Sequence, residues 1–216
     1  MQDKTVDLKQ IRREYCGNDF LRAHLNACPT EQFSEWFNQA KVVRPDDVSS
    51  MTLATASATG MPSARIVLLK HYDATGFCWY TDYESQKGIE LRENPQAELL
   101  FYWYGLERQV RIQGVVKKLT EAQSQQYFDQ RPRASQISAA ASQQSRPVAS
   151  RSALEEEVSQ LEASLKGDKV QWPKRWGGYC LVPSKFEFWQ GREGRLHDRL
   201  VYRLQDSNWS VQRLQP

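Results

Sequence analysis

Three short segments carry side chains whose types and spacing suit the binding of anions. RIVLLK at residues 65–70 sets four aliphatic residues between Arg65 and Lys70. In a strand, successive side chains point to opposite faces, so Arg65, Val67 and Leu69 share one face and Ile66, Leu68 and Lys70 the other. Five residues of strand separate the two cations by about 17 Å. One phosphate cannot engage both, but two phosphorylated molecules can. A core strand whose long basic ends reach solvent gives the same pattern. YFDQRPRASQ (127–136) puts Tyr127, Arg131 and Ser135 at successive intervals of four. On one helix this stacks a phenol, a guanidinium and a hydroxyl on a single face. Such a set suits a phosphate because Arg offers a rigid fork of donors, although Pro132 interrupts helix continuity and a polar helix surface reads the same way. FWQGREGRLHDR (188–199), if extended, aligns Arg195, His197 and Arg199 on one face with Leu196 and Asp198 opposite. Those three groups repel one another unless something negative or electron-rich faces them; a charged edge strand kept soluble is the plainer alternative.

The rest of the sequence removes commoner chemistries. No nucleophile elbow, P-loop, GxGxxG or HExxH occurs. Cys16, Cys28, Cys78 and Cys180 are scattered, with no CxxC pair and no histidine at zinc-ligand spacing, so no metal is expected and a reducing cytosol is the simplest setting. Cys78 lies in an apolar strand pattern and reads as a buried thiol. The 29 basic and 26 acidic residues leave a net charge of +3, too little to argue for nucleic acid as a partner. MQDKTVDLKQIRREY lacks the apolar core of a secretory signal, and no apolar run is long enough to span a bilayer. With 216 residues and 40% hydrophobic content, the chain is one generous domain or two very small ones with a real core. Seven tryptophans and nine tyrosines suit pockets and subunit interfaces as well as cores.

These groups must be positioned by a mainly β framework. Residues 1–28 read as a polar, partly mobile segment. A helix follows with Thr30 as N-cap and Phe33, Trp36, Phe37 and Ala40 at helical spacing. Strands are expected at 50–57, 64–72 and 76–82, separated by short turn signals, then a short helix at 84–94 and two strands, 97–105 and 107–119, joined at Gly105. Residues 120–131 read as helix and 132–151 as a Ser/Gln/Ala-rich stretch. Residues 152–167 form an amphipathic helix, with Ser152 and Glu155 as a capping box and Leu154, Val158, Leu161 and Leu165 as its buried stripe. Strands return at 177–191, 195–204 and 209–214, the last two flanking a QDSN turn. Seven or eight strands without βαβ alternation imply an antiparallel barrel or sandwich rather than a Rossmann sheet.

Read together, RIVLLKHYD, LERQVRIQG, YFDQRPRASQIS and FWQG…RLHDR resemble the pyridoxine/pyridoxamine 5′-phosphate oxidases, in family order and at family-like distances. The likeness runs from RREY (12–15) to QRLQP at the end of the chain. It implies a mainly β (α+β) antiparallel FMN-binding split barrel with peripheral helices. Residues 29–216 would be one domain with a helical insertion at about 120–167, and residues 1–28 an active-site lid. It implies a cytoplasmic homodimer with two flavin sites at the interface, and hence the two phosphates that RIVLLK suggests.

By motif match, Arg65 and the backbone of Ile66, Val67, Leu68 and Leu69 lie along the flavin, with Lys70 at the end of the segment. Tyr80, Thr81, Gln86 and Lys87 hold its phosphate end, Gln109 bonds its ring, and Gln144, Ser145, Trp189 and Arg199 come from the partner subunit. Lys70, Tyr127, Arg131 and Ser135 match the substrate-phosphate pocket. Arg195, Leu196 and His197 match the surroundings of the substrate ring, with Arg195 and His197 as the catalytic pair. Arg12, Arg13, Glu14 and Tyr15 match a segment folding over the site, and Asp47 falls where the family has a nearby acid. The implied reaction oxidises pyridoxamine and pyridoxine 5′-phosphates by hydride transfer from C4′ to FMN, with O2 reoxidising the flavin to give H2O2. Another FMN split-barrel reductase, or a non-catalytic FMN or pyridoxal phosphate carrier, are the competing readings. The chain departs from the family pattern at Gln86, where an arginine is usual, at Ser138 and Ala140, commonly Gly and Trp, and across GNDFLRAHL.

Overall fold

The computed structural model describes residues 7–10 and 13–216; Arg12, expected in the lid, lies outside the described residues. The helices are α1 (Pro29–Val43), α2 (Gln86–Glu93), α3 (Glu121–Gln130), α4 (Arg133–Ala141) and α5 (Arg151–Leu165). The strands are β1 (Ser50–Ala56), β2 (Pro62–Leu68), β3 (His71–Asp73), β4 (Gly76–Asp82), β5 (Gln96–Trp103), β6 (Arg108–Lys118), β7 (Trp176–Gln190), β8 (Asp198–Gln205) and β9 (Asn208–Leu214). They form one sheet in the order β2-β1-β5-β6-β7-β4-β3, with β8 also pairing β7 and β9 pairing β8. The β1–β2, β1–β5, β3–β4, β4–β7 and β8–β9 pairs are antiparallel. No helix among the described residues is long and apolar enough to cross a membrane.

The chain forms two compact units. One comprises Ser49–Phe101 and Arg111–Lys185. Its core is built by inward residues of the strands, with Leu53, Phe77, Trp79, Leu99, Phe101, Ile112 and Leu181 fully buried. A second cluster joins Phe128, Ile137, Val170 and Trp176, against which Val158, Leu161 and Leu165 of α5 pack. The other unit comprises residues up to Val48, Tyr102–Val110 and Phe186–Pro216. There Phe20 packs on Trp36 at 4.7 Å, Trp36 on Phe188 at 5.3 Å and Phe188 on Tyr202 at 5.6 Å between ring centres.

Several local expectations are corrected. Thr30 is not the N-cap of α1: Cys28 is, because Pro29 at the first helical position already fixes a helical φ. Helix α5 is capped by Ser150, whose extended backbone lets its hydroxyl accept from Ala153 N at 3.0 Å; Ser152 is inside the helix, and Glu155 pairs with Arg151 at 2.6 Å. The expected 64–72 strand is two, because Leu69 N still donates to Ser49 O while Lys70 N has switched to Cys78 O. Arg131 leaves helical geometry (ψ 150°) ahead of Pro132, so Tyr127, Arg131 and Ser135 do not share one helix. Arg195 is not in a strand. Gly194 and Arg195 adopt φ of 59° and 61° in a tight turn, and β8 starts only at Asp198. The alternation assumed for Arg195, His197 and Arg199 therefore does not apply. The described part of the N-terminal segment makes hydrogen bonds to distant residues. Glu107 accepts from Arg13 Nη2 at 2.7 Å and from Cys16 N at 2.8 Å, and Phe20 N donates to Asp198 at 3.0 Å.

Gly114 on β6 permits the close approach of β7, since a Cβ there would lie 2.0 Å from the Val182 carbonyl oxygen. Gly114→Ala is expected to destabilise the fold by about 1–3 kcal/mol, the usual cost of overpacking, read as a lower urea midpoint with unchanged slope.

Candidate active site

A cavity of about 570 Å³ opens in the second-half-of-sheet unit formed by Ser49–Phe101 and Arg111–Lys185, within the size range of small-molecule sites. It is lined by Arg65, Ile66, Val67, Leu68 and Lys70 from β2 and the residues after it, by Tyr80 and Thr81 from β4, and by Lys87 from α2. Tyr127, Arg131 and Ser135 from the α3–α4 corner join them, with Gln144 and Trp176. The two phosphate-binding sets expected from the sequence thus line one cavity. The break at Arg131 and Pro132 turns the three α3–α4 side chains toward it.

One end is organised around a buried carboxylate. In the β1–β2 ladder Leu53 faces Arg65 and Thr55 faces Ser63, so Arg65 reaches back across the ladder. Its Nη1 donates to Leu53 O at 3.2 Å and to Thr55 Oγ1, and its Nη2 pairs with Glu90 at 3.2 Å. Glu90, 2% exposed, also accepts from Ser63 Oγ at 2.6 Å, Gln86 Nε2 at 3.0 Å and Thr55 Oγ1. Burial alone would raise its pKa, but these hydrogen bonds and the Arg65 charge outweigh it and hold the carboxyl at about 2. Beside it the Lys87 ammonium, 8% exposed, donates to Gln144 Oε1 at 2.6 Å and to Thr81 and Ser85 hydroxyls at 3.3 Å. Burial, reinforced by Arg65, pushes Lys87 down to about 8.

The other end is aromatic. Tyr80 stacks on Tyr127 at 3.8 Å and on Trp176 at 5.5 Å; Gly178 makes room, since a Cβ there would lie 2.9 Å from the Tyr80 ring. Burial pushes the Tyr80 phenol up to about 12, which keeps it neutral. The Arg131 guanidinium lies 4.6 Å from the Trp176 ring centre, a cation–π contact. Its Nη1 is buried with no hydrogen-bond partner, and burial lowers its pKa. A buried cationic donor without an acceptor is costly. An oxyanion in the cavity is what this donor set fits, and two phosphorylated aromatics match a basic end and an aromatic end that carries its own cation.

Other predicted residues stand elsewhere. Leu69 is buried rather than lining the cavity. Gln86 does not line it either, because its amide is spent on Glu90. Gln144, expected from the partner subunit, reaches the cavity in its own chain, drawn there by Lys87 and Thr81, the latter donating at 2.8 Å. Ser145, also expected from the partner, follows it in the same loop with φ 69° and lines a separate hollow with Arg146 and Leu154. In the other unit Tyr15, Trp189 and His197 form an edge-packed cluster, Tyr15 lying 5.5 Å from Trp189 and 5.1 Å from His197. His197 Nδ1 accepts from Arg192 N at 3.0 Å, and burial, with Arg195 adding to it, lowers the pKa. Arg199 donates through Nε and Nη2 to buried Glu187 at 3.0 and 2.7 Å and through Nη1 to Gln215 O at 2.9 Å. Leu196 and Glu14 are exposed, Gln109 is half-buried, and Asp47 borders a small hollow beside Tyr104. Sequence reading missed Trp176 and Glu90. The first had a signal in the Gly-Gly that follows it; the second in an acid four residues after Gln86 on one helix face.

Antiparallel strands that bring cations and stacked aromatics to a single cavity fit the FMN-binding split-barrel class. Residues 31–164 match the pyridoxamine 5′-phosphate oxidase family, and residues 176–216 match the pyridoxine 5′-phosphate oxidase C-terminal dimerisation region. The chain belongs to the pyridoxine/pyridoxamine 5′-phosphate oxidase family. It is 46% identical to the pyridoxine/pyridoxamine 5′-phosphate oxidase of Herminiimonas arsenicoxydans, over 98% of this chain and 100% of that one. Among solved structures, PhzG from Burkholderia lata, in complex with tetrahydrophenazine-1-carboxylic acid, superposes with a TM-score of 0.87 at 30% identity, covering 93% of this chain and 99% of that one. A pyridoxamine 5′-phosphate oxidase-related, FMN binding protein from Nostoc punctiforme shares the fold, with a TM-score of 0.71 at 16% identity and coverage of 89% and 100%.

Because Lys87 is cationic below about pH 8 and neutral above it, affinity of the apoprotein for FMN is expected to fall as pH rises through that value. Lys87→Met should bind FMN more weakly at low pH and lose this step. The linkage for the FMN-free fold has the opposite sign: between about 8 and the ordinary lysine value of 10.5, the unfolded chain holds more protons, so stability rises with pH. Fluorescence quenching and urea titrations across this range separate the two.

Proposed function

We propose that the protein oxidises pyridoxamine 5′-phosphate and pyridoxine 5′-phosphate to pyridoxal 5′-phosphate, with FMN as cofactor and O2 as final acceptor. The observation that carries the substrate class is the unpartnered Arg131 Nη1 in a cavity it shares with Lys70, Tyr127 and Ser135. The family match and the 46% identical oxidase support the reaction. The carboxylic acid bound by PhzG carries no phosphate, whereas Arg131 with Lys70, Tyr127 and Ser135 offers the several donors that a phosphate takes.

FMN, when bound, supplies the hydride acceptor and passes the electrons on to oxygen. The chain binds, orients and sets charge. Arg65, Lys87, Thr81 and Gln144 would hold the flavin phosphate, with the backbone of Ile66 to Leu68 alongside the flavin. Lys70, Tyr127, Arg131 and Ser135 would hold the substrate phosphate, fixing the substrate at its tail so that C4′ is presented in line, where proximity contributes most. Arg195 and His197 would flank the substrate ring. Since His197 Nδ1 is occupied as an acceptor, its Nε2–H is the donor left for substrate oxygens. Gln109 would bond the flavin ring, and Trp189 and Arg199 would complete the flavin site from the partner subunit, with Arg13 to Tyr15 closing over the substrate. The match to a C-terminal dimerisation region supports a homodimer, which would carry two equivalent sites at its interface. The free cysteines suit a cytoplasmic setting.

Anaerobic mixing of the FMN-loaded protein with pyridoxine 5′-phosphate should bleach the flavin bands and yield the pyridoxal phosphate spectrum. Binding without bleaching would identify a carrier, and bleaching only by a nicotinamide or another reductant would identify a reductase. Arg131→Met should raise KM by about tenfold or more with a smaller change in kcat, as expected for loss of one charge-assisted hydrogen bond.

A further inference from the structure

We propose that Glu90 is a positioning residue for Arg65, and that Gln86 acts on FMN affinity through Glu90 rather than by contact with the phosphate. The inference rests on the FMN reading above. A guanidinium has five N–H donors. Leu53 O, Thr55 Oγ1 and Glu90 take three of those of Arg65, leaving the Nε–H and one Nη2 hydrogen for an incoming oxyanion. Without Glu90, Nη2 has no protein partner, and the long side chain regains rotamers that binding must then freeze out. Glu90 is itself fixed from three further sides by Ser63, Thr55 and Gln86. Gln86, the one of these that is exposed, sits where the family pattern has an arginine, yet its amide points to the carboxylate and it does not line the cavity. It is a clamp on the anchor of Arg65.

Two physical effects of Glu90 have opposite signs, which makes the inference sharp. As a bare charge, a carboxylate near a phosphate site repels the ligand, so Glu90→Gln would tighten binding. As the anchor of Arg65, its loss weakens binding. The charged groups facing Lys87 are Arg65, Asp82 and Glu90. Of these the two carboxylates favour the ammonium, so removing Glu90 also lets Lys87 lose its proton at lower pH.

The experiment measures FMN and riboflavin binding to the apoprotein by fluorescence quenching as a function of pH, for wild type, Glu90→Gln and Gln86→Leu. Glu90→Gln is expected to bind FMN about tenfold more weakly, the scale of one charge-assisted hydrogen bond. Its affinity for riboflavin, which has no phosphate, should change far less, and the pH midpoint of FMN binding should move down. Gln86→Leu should weaken FMN binding about threefold, in keeping with one ordinary hydrogen bond acting at second hand, with no shift of midpoint. Equal or tighter FMN binding by Glu90→Gln, or equal losses for FMN and riboflavin, overturns the inference. If Glu90→Gln does not fold, Gln86→Leu decides, and unchanged FMN affinity there overturns it. A wild-type protein that does not bind FMN overturns the functional reading itself, an outcome visible without any variant.

Discussion

Positive charge can be concentrated in a cavity only if something holds it there before the ligand arrives. Arg65, Lys70, Lys87 and Arg131 all line one cavity, and like charges brought together oppose both folding and their own ionisation. The Arg65–Glu90 pair is the device that resolves this. It stands on the β1–β2 ladder, where the pairing of Leu53 with Arg65 and of Thr55 with Ser63 sets the Leu53 carbonyl against the guanidinium and two hydroxyls against the carboxylate. Among the described residues Lys87 has no such ion-paired anchor and relies on neutral oxygens of Gln144, Thr81 and Ser85. Burial, with the Arg65 charge beside it, depresses its pKa. Arg199 repeats the Arg65 solution in the other unit, with Glu187 as the buried acid. Arginine is the suitable residue in both places because its fork can bond a structural carboxylate and still present free donors.

The fold serves the cavity by supplying side chains from elements with different rigidity. Strands β2 and β4 bring Arg65, Tyr80 and Thr81 in with fixed register, whereas the α3–α4 corner brings Tyr127, Arg131 and Ser135. The corner is stiffened by its own contacts: Gln136 Nε2 donates to the carbonyls of Phe128, Asp129 and Arg131 at 2.9, 3.2 and 3.1 Å. The Phe128 carbonyl also accepts from Arg131 N, while those of Asp129 and Arg131 lie where the break at Pro132 ends the helical ladder. The kink that destroys a continuous helical face is therefore the feature that aims Arg131.

What the sequence made legible follows from the range of the interactions involved. The alternation in β2, with Ser63, Arg65 and Val67 half-buried between exposed neighbours, depends only on period two and was readable. So was the α5 stripe. The two helix caps stand two residues ahead of the expected ones: Ser150 and Ser152 differ only in backbone angles that no side-chain type announces, whereas Pro29 after Cys28 is a signal that the choice of Thr30 passes over. The turn at Arg195 was missed because a positive φ in a non-glycine residue is rare, although the neighbouring Gly194 hinted at it. The docking of the N-terminal segment depends on Glu107, roughly ninety positions away, and on its left-handed backbone. No local pattern encodes such a partner. Glu90 was hidden for a related reason, since an acid on a short polar helix ordinarily faces water.

Helix α2 begins on Ser85, whose hydroxyl caps Gly88 N at 3.4 Å, and Gly88 presses against the Tyr83 backbone so closely that a Cβ would lie 2.1 Å from its carbonyl oxygen. Lys87 and Glu90 flank that contact on the same eight-residue element. Lys87 and Glu90 are thus mounted on a single short rod seated at one point, while Arg65, Thr81 and Gln144, to which they bond, stand on other segments. A shift of the rod moves both groups against those partners at once, so the seat at Gly88 sets the register of the cation and of the carboxylate together.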